Sequence, residues 1–298
     1  MNDAPYVAIE AGGTKFIVGV GESPSNCSIA TIETRCPNKT MADVKKFIAK
    51  TVGTQSISGI GVGAFGPVMI DPSNERRGEI LPSPKIDWSG YNFVHDLEAA
   101  FSAPVALQTD VGAAAMAEVS ARPECKNLVY VTVGTGIGGG VVSGGQIHTG
   151  IRHPELGHIS LPKHPEDTDF DGICPFHGDC IEGLASGPAI SARWGRPLSD
   201  IGYPHIAHDI QASYLGRLCA NIVLHHAPDV IVLGGGVMNT QHLIENTRLH
   251  CANVLAGYIN GLDTSSALES IITKPFHGSN AGLIGAFMLA QSYSEIHA

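Results

Sequence analysis

The chain has 298 residues, 43% hydrophobic and 15% charged; this excludes a disordered polymer and leaves room for two domains with well-buried cores. A formal charge of −10 argues against nucleic acid or an anionic membrane as a partner, so any anionic ligand needs local amides and helix dipoles. No apolar run reaches membrane-spanning length, and no basic segment followed by an apolar one opens the chain, so a soluble, cytoplasmic protein is expected.

Residues 6–9 form a β-rich run that ends in the turn EAGGTK at 10–15, and 16–20 resume strand character, which predicts a β-hairpin. Gly12 and Gly13 let the backbone approach a ligand and take positive φ, so the turn amides, with Thr14 and Lys15, are candidate phosphate contacts. An offset of 124 residues lays YVAIEAGG, from Tyr6, over YVTVGTGI, from Tyr130. The second turn, GTGIGGG at 134–140, adds Gly134, Thr135 and Gly136 as candidates, and the repeat predicts a duplicated α/β domain with one phosphate hairpin from each half.

Between the hairpins, 27–34 read as a third strand, 41–51 as an amphipathic helix and 57–63 as a buried strand leading to Phe65, Gly66 and Pro67. Strands alternating with helices predict a mainly parallel sheet with crossovers. The segment 71–90, with PSPK at 82–85 and Trp88, is too long for an idle connection and is expected to serve substrate. A helix over 91–101 and a strand over 105–107 follow, then Gln108, Thr109 and Asp110 lead into an Ala-rich helix from about Gly112. Asp110 thus stands where a strand ends and a helix begins. It is there either as a helix cap or, because α/β sheets place ligands at strand C-termini, as a catalytic carboxylate.

The Gly- and Pro-rich loop 155–182 places His158, Cys174, His177 and Cys180 between Glu155 and Glu182. Two residues separate each of Cys174, His177 and Cys180, so a short turn can aim two thiolates and an imidazole at one centre, a donor set that favours tetrahedral Zn2+. His158 is the best fourth ligand, with His153, His164 and Asp179 as alternatives, and the ion would hold the loop's shape. The other five cysteines, Cys27, Cys36, Cys125, Cys219 and Cys251, read as buried thiols. Helices are expected over 187–194, 205–226 and 240–255, strands over 230–233 and 271–272, and a final helix from NAGLIG at 280–285. The glycine turns Gly234, Gly235, Gly236 and 280–285 are candidate adenosine contacts.

Together EAGGTK at 10–15, GTGIGGG at 134–140, ELGH at 155–158, CPFHGDCIE at 174–182 and GGG at 234–236 resemble the ROK family of sugar kinases and repressors over nearly the whole chain. The resemblance implies an α/β, actin-like and hexokinase-like ATPase fold of two lobes, each a mixed sheet flanked by helices. The expected lobes are 1–110, with the helix 281–298 packing back on it, and 111–280 with the zinc loop. It implies ATP and Mg2+ as cofactors beside structural zinc, a hexose substrate and a homodimer. Asp110 matches the family's catalytic base, Glu155, His158 and Glu182 match positions that bind sugar hydroxyls, and Thr109, Gly66 and Pro67 are expected beside the substrate. The sequence departs from the usual pattern at His177, where a third cysteine is common, at Glu10, where Asp is usual, and at Thr109, where Asn is common. The segments around Pro82, Trp88, His153 and Cys174 are similar to the fructokinase branch, which implies ATP-dependent conversion of D-fructose to fructose 6-phosphate. Glucose, mannose or N-acetylmannosamine kinase activity is the alternative, then a sugar-sensing protein without catalysis; a repressor needs a helix-turn-helix before the first hairpin, where only residues 1–5 stand.

Overall fold

Strand β1 (Tyr6–Ala11) carries fully buried Val7, Ala8 and Ile9 and reverses through the glycine turn into β2 (Lys15–Ser23). The computed structural model describes residues 4–83 and 85–297; the lead 1–3, Pro84 of the PSPK segment and the last residue of the expected final helix lie outside the described residues. After β2 come β3 (Asn26–Glu33), α1 (Pro37–Val52), β4 (Gly59–Ala64), α2 (Phe93–Phe101), β5 (Val105–Thr109) and α3 (Asp110–Ser120). Then follow β6 (Leu128–Val133), β7 (Ile137–Ser143), β8 (Gln146–Ile147), α4 (Ile181–Ala185), α5 (Gly187–Trp194) and α6 (Ile206–His226). The chain ends with β9 (Val230–Gly234), α7 (Leu243–Leu255), β10 (Ile272–Thr273) and α8 (Ala281–His297).

The two sheets repeat one topology. Their strand orders are β3-β2-β1-β4-β5 and β10-β9-β6-β7-β8, so β1 and β6 are the equivalent central strands. In each sheet the hairpin side is antiparallel and the crossover side parallel, so the sheets are mixed where the β–α alternation alone suggested mainly parallel. The hairpins supply the antiparallel half, because a tight turn can only return antiparallel. The last residues of β1 and β6 are Ala11 and Val133, so the structural offset is two residues shorter than the 124 read from the sequence. A two-residue shift preserves the faces of a strand, which is why the overlay matched in hydrophobicity while misplacing the turns.

The chain forms two units. The first runs to Ser120, takes in Thr149–His153 and resumes at Asn280; the second holds Ala121–His148 and Pro154–Ser279. Helix α3 stands in the first unit, whereas the sequence division fell just before it. Small residues explain this: a Cβ on Gly61 of β4 would lie 1.8 Å from the Ala286 carbonyl oxygen, and one on Gly285 1.9 Å from that of Ala113. Backbones of β4, α8 and α3 therefore touch, and α3 is fixed to the first unit. That unit's core joins Val7, Ile9, Phe16, Ile60, Val62, Trp88 and Phe93. The second is built on β6, β9 and α6, with Tyr214 fully buried. No helix among the described residues is long and apolar enough to cross a membrane.

Candidate active site

In the first unit β5 passes into α3 with no intervening loop, so Thr109 is the last strand residue and Asp110 the first helical one. The Thr109 Oγ1 accepts from the Gly112 amide at 3.0 Å. Thr109 is thereby the helix cap, buried with its hydroxyl oxygen engaged by that amide. The Asp110 carboxylate is relieved of capping. Its Oδ1 accepts from the next amide, Val111, at 2.8 Å, and burial pushes its carboxyl up to about 6, against the lowering by that bond. A carboxyl poised there is ionised at neutral pH yet basic enough to take a proton.

Glu10 lies beside Asp110 on β1. A Cβ on Gly282, in the first turn of α8, would meet Glu10 Cδ at 2.5 Å. The Leu283 amide donates to the Glu10 carboxylate, while its Oε2 is buried with no hydrogen-bond partner. Burial first and the Asp110 charge second push Glu10 up to about 7, with Lys15 pulling it down. Gly12 and Gly13 form the turn with ordinary negative φ, contrary to the expected positive values. Glycine is required at Gly12 because a Cβ would lie 2.7 Å from the Lys15 carbonyl oxygen. Thr14 and Lys15 are exposed at the tip. After β4, the Phe65 amide donates to the Ala11 carbonyl at 2.9 Å, and the Gly66–Pro67 peptide is cis, with Gly66 exposed.

In the second unit, Gly134, Thr135 and Gly136 make the turn between β6 and β7, closed by the Gly134 amide on the Gly136 carbonyl at 2.9 Å. Glu182 on α4 reaches this turn: its Oε2 accepts from the Ile137 amide at 2.8 Å, and a Cβ on Gly136 would meet the same oxygen at 2.6 Å. The ELGH segment rests on the same hairpin, since a Cβ on Gly157 would lie 1.8 Å from the Ile137 carbonyl oxygen. So the exposed Glu155 and the half-buried His158 and Glu182 are held against one strand end. Gly234, Gly235 and Gly236 follow β9, and Gly235 has φ 89°, where only glycine sits without strain.

His158, Cys174, His177 and Cys180 come together, their ligand atoms all within 4.8 Å of one another. Cys174 Sγ lies 3.8 Å from His158 Nδ1 and 3.7 Å from His177 Nδ1, and Cys180 Sγ lies 3.5 Å from His158 Nδ1. Zinc bonds of about 2.0–2.3 Å at tetrahedral angles require edges of roughly 3.6 Å, so two sulfurs and two nitrogens fit Zn2+. The other possible fourth ligands are engaged elsewhere. His153 Nε2 accepts from the Val68 amide at 3.3 Å, His164 Nε2 faces Asp209 at 3.2 Å, and Asp179 pairs with Lys163 at 3.8 Å. Cys180 is also the N-cap residue of α4, so the cluster sets the start of the helix that carries Glu182.

Three contacts were not legible in the sequence: Glu10 beside Asp110, Glu182 on the Ile137 amide, and Lys85 on the first turn, where its Nζ donates to the Gly13 carbonyl at 2.6 Å. Each joins residues far apart in the chain, and only the glycines opposite them were a visible signal.

Each unit thus carries a glycine-turn hairpin, the first with a carboxylate where β5 passes into α3 and the second with a loop of carboxylates, histidines and cysteines. The ROK family model matches residues 6–293. The chain belongs to the ROK family. It is 38% identical over 292 residues to a fructokinase of Zymomonas mobilis, covering 96% of both chains, and 37% identical over 288 residues to a fructokinase of Pediococcus pentosaceus, covering 96% of this chain and 97% of that one. Its fold matches the crystal structure of a ROK hexokinase from Thermus thermophilus with a TM-score of 0.71 at 29% identity, covering 98% of this chain and 99% of that one.

Proposed function

We propose that this protein transfers the γ-phosphoryl group of ATP to D-fructose, giving fructose 6-phosphate. The observation that carries phosphoryl transfer is the division of labour at the β5–α3 junction: Thr109 caps the helix and leaves the Asp110 carboxyl, raised to about 6, to act as base. Asp110 takes the proton of the attacking primary hydroxyl. In the first unit the Gly12–Gly13 turn is assigned to phosphate; in the second the Gly134–Gly136 turn is assigned to phosphate, and Glu155, His158 and Glu182 to sugar hydroxyls. Positioning and electrostatics carry most of the rate in such a reaction. Mg2+, when bound with ATP, offsets charge on the transferring group. Gly234, Gly235 and Gly236 are assigned to adenosine, and Gly66 and Pro67 to the substrate side.

His158, Cys174, His177 and Cys180 are assigned to structural Zn2+, on the fit of their spacings to a tetrahedron. No disulfide joins any of the seven cysteines, which suits the reducing cytoplasm. A homodimer belongs to the same proposal on family resemblance.

The choice of fructose rests on the full-length similarity to fructokinases. An ADP-release assay over a hexose panel tests it, with kcat/KM expected to be highest for fructose. A clear preference for glucose or mannose would overturn the substrate and keep the kinase; no ADP release with any hexose would overturn both.

A further inference from the structure

We propose that Lys85, rather than Lys15, is the cation of the first phosphate turn, its ammonium binding a phosphate oxygen of the nucleotide held there. This inference rests on the kinase reading above and adds a binding residue to it.

Lys85 arrives from the long segment between β4 and α2, and its position is fixed by Trp88, three residues on. Trp88 is only 3% exposed; its Nε1 donates to the Arg35 carbonyl at 2.8 Å, and its ring packs against Phe16, Phe65, Tyr91 and Phe93 at centroid separations of 5.3–5.6 Å. Phe16 is the second residue of β2, so this aromatic cluster ties the segment to the hairpin whose turn Lys85 reaches. The lysine stem then lies flat on the turn. A Cβ on Gly13 would stand 2.9 Å from Lys85 Cε and 3.2 Å from Nζ, so glycine at this position makes room for the side chain. The ammonium donates to the Gly13 carbonyl at 2.6 Å and lies 5.6 Å from the centre of the Phe65 ring, just before Gly66 and Pro67.

An ammonium has three donors, and one carbonyl takes only one. Among the described residues Lys85 has no carboxylate partner, although partial burial pulls its pKa below the usual lysine range. A partly desolvated cation without a counter-charge is costly, and an anionic ligand removes that cost. The amides of Gly13 and Thr14 likewise find no acceptor among the described residues, so donors of the same sign stand at one turn. In a chain of net charge −10, such a local cation is what lets an anion approach. Lys15, by contrast, is exposed at the tip.

Titration calorimetry of the full chain with ADP and with adenosine separates phosphate binding from ring binding. Lys85→Met is expected to weaken ADP by about 10-fold or more and leave adenosine within about 2-fold, Lys85→Arg to recover most of the loss, and Lys15→Met to change ADP by less than about 3-fold. In turnover, Lys85→Met should raise KM for ATP with KM for fructose unchanged. ADP held equally by wild type and Lys85→Met overturns the inference alone, as does an equal loss of ADP and adenosine, which marks a structural role. A wild-type chain that binds neither ligand overturns the inference together with the kinase reading.

Discussion

Asp110 and Thr109 divide two tasks that one residue at a strand–helix junction can perform. Because the Thr109 hydroxyl holds the Gly112 amide, Asp110→Asn removes a proton acceptor without removing the cap. A fall in kcat of roughly 10²- to 10⁴-fold is expected, with sugar affinity by direct binding nearly unchanged; near-wild-type turnover would defeat the base assignment. Since burial places the wild-type carboxyl near 6, kcat/KM should climb with pH through about 6 and level off above it, and a pH–rate profile checks this. Glu10 carries the opposite kind of consequence, for stability. Its carboxyl is raised by burial from 4.5 to about 7, so the folded chain binds more protons than the unfolded one across that window. Stability is therefore lost as pH rises from about 4.5 to 7, and the cost is complete above it. Glu10→Gln should match wild type near pH 4 and exceed it near pH 8 by on the order of 2 kcal/mol, read from denaturant unfolding at the two pH values. Equal gains at both would remove the titration argument.

At the scale of elements, the metal loop and α4 act as one piece. Cys180 is both a candidate ligand and the N-cap residue of α4, and Glu182 two residues on holds the Ile137 amide of the glycine hairpin. Purified protein is expected to contain about one zinc per chain, and Cys180→Ser should release it, expose the loop to limited proteolysis and weaken hexose binding. Elemental analysis that finds no zinc in active, never-chelated protein would remove the metal. The hairpins themselves were legible in the sequence because a strand, a glycine cluster and a second strand leave little else for the backbone to do. Their turns were legible as to place and misread as to cause: Gly12 is glycine for want of space next to the Lys15 carbonyl, with φ in the ordinary range.

For the whole molecule, seven cysteines in an acidic, two-unit chain make a simple chemical prediction. Cys219 and Cys251 sit in the second core; burial raises the first well above the usual thiol range and the second to about 12. Native protein should show fewer than seven thiols to a thiol reagent such as DTNB, with Cys219 and Cys251 silent, and denatured protein all seven without added reductant. A shortfall after denaturation would reveal a disulfide that the free thiols here exclude. The sequence by itself determined the duplicated hairpins, the order of strands and helices, the set of candidate metal ligands and the carboxylate at the end of β5, because these follow from periodicity, glycine clusters and spacing within short stretches. Only the tertiary structure decided that α3 belongs with the first unit, that His158 stands with Cys174, His177 and Cys180, that Thr109 caps in place of Asp110, and that Lys85 and Glu182 each reach a glycine turn. Those are contacts between residues distant along the chain, set by where backbones without side chains allow close approach, and no local pattern encodes them.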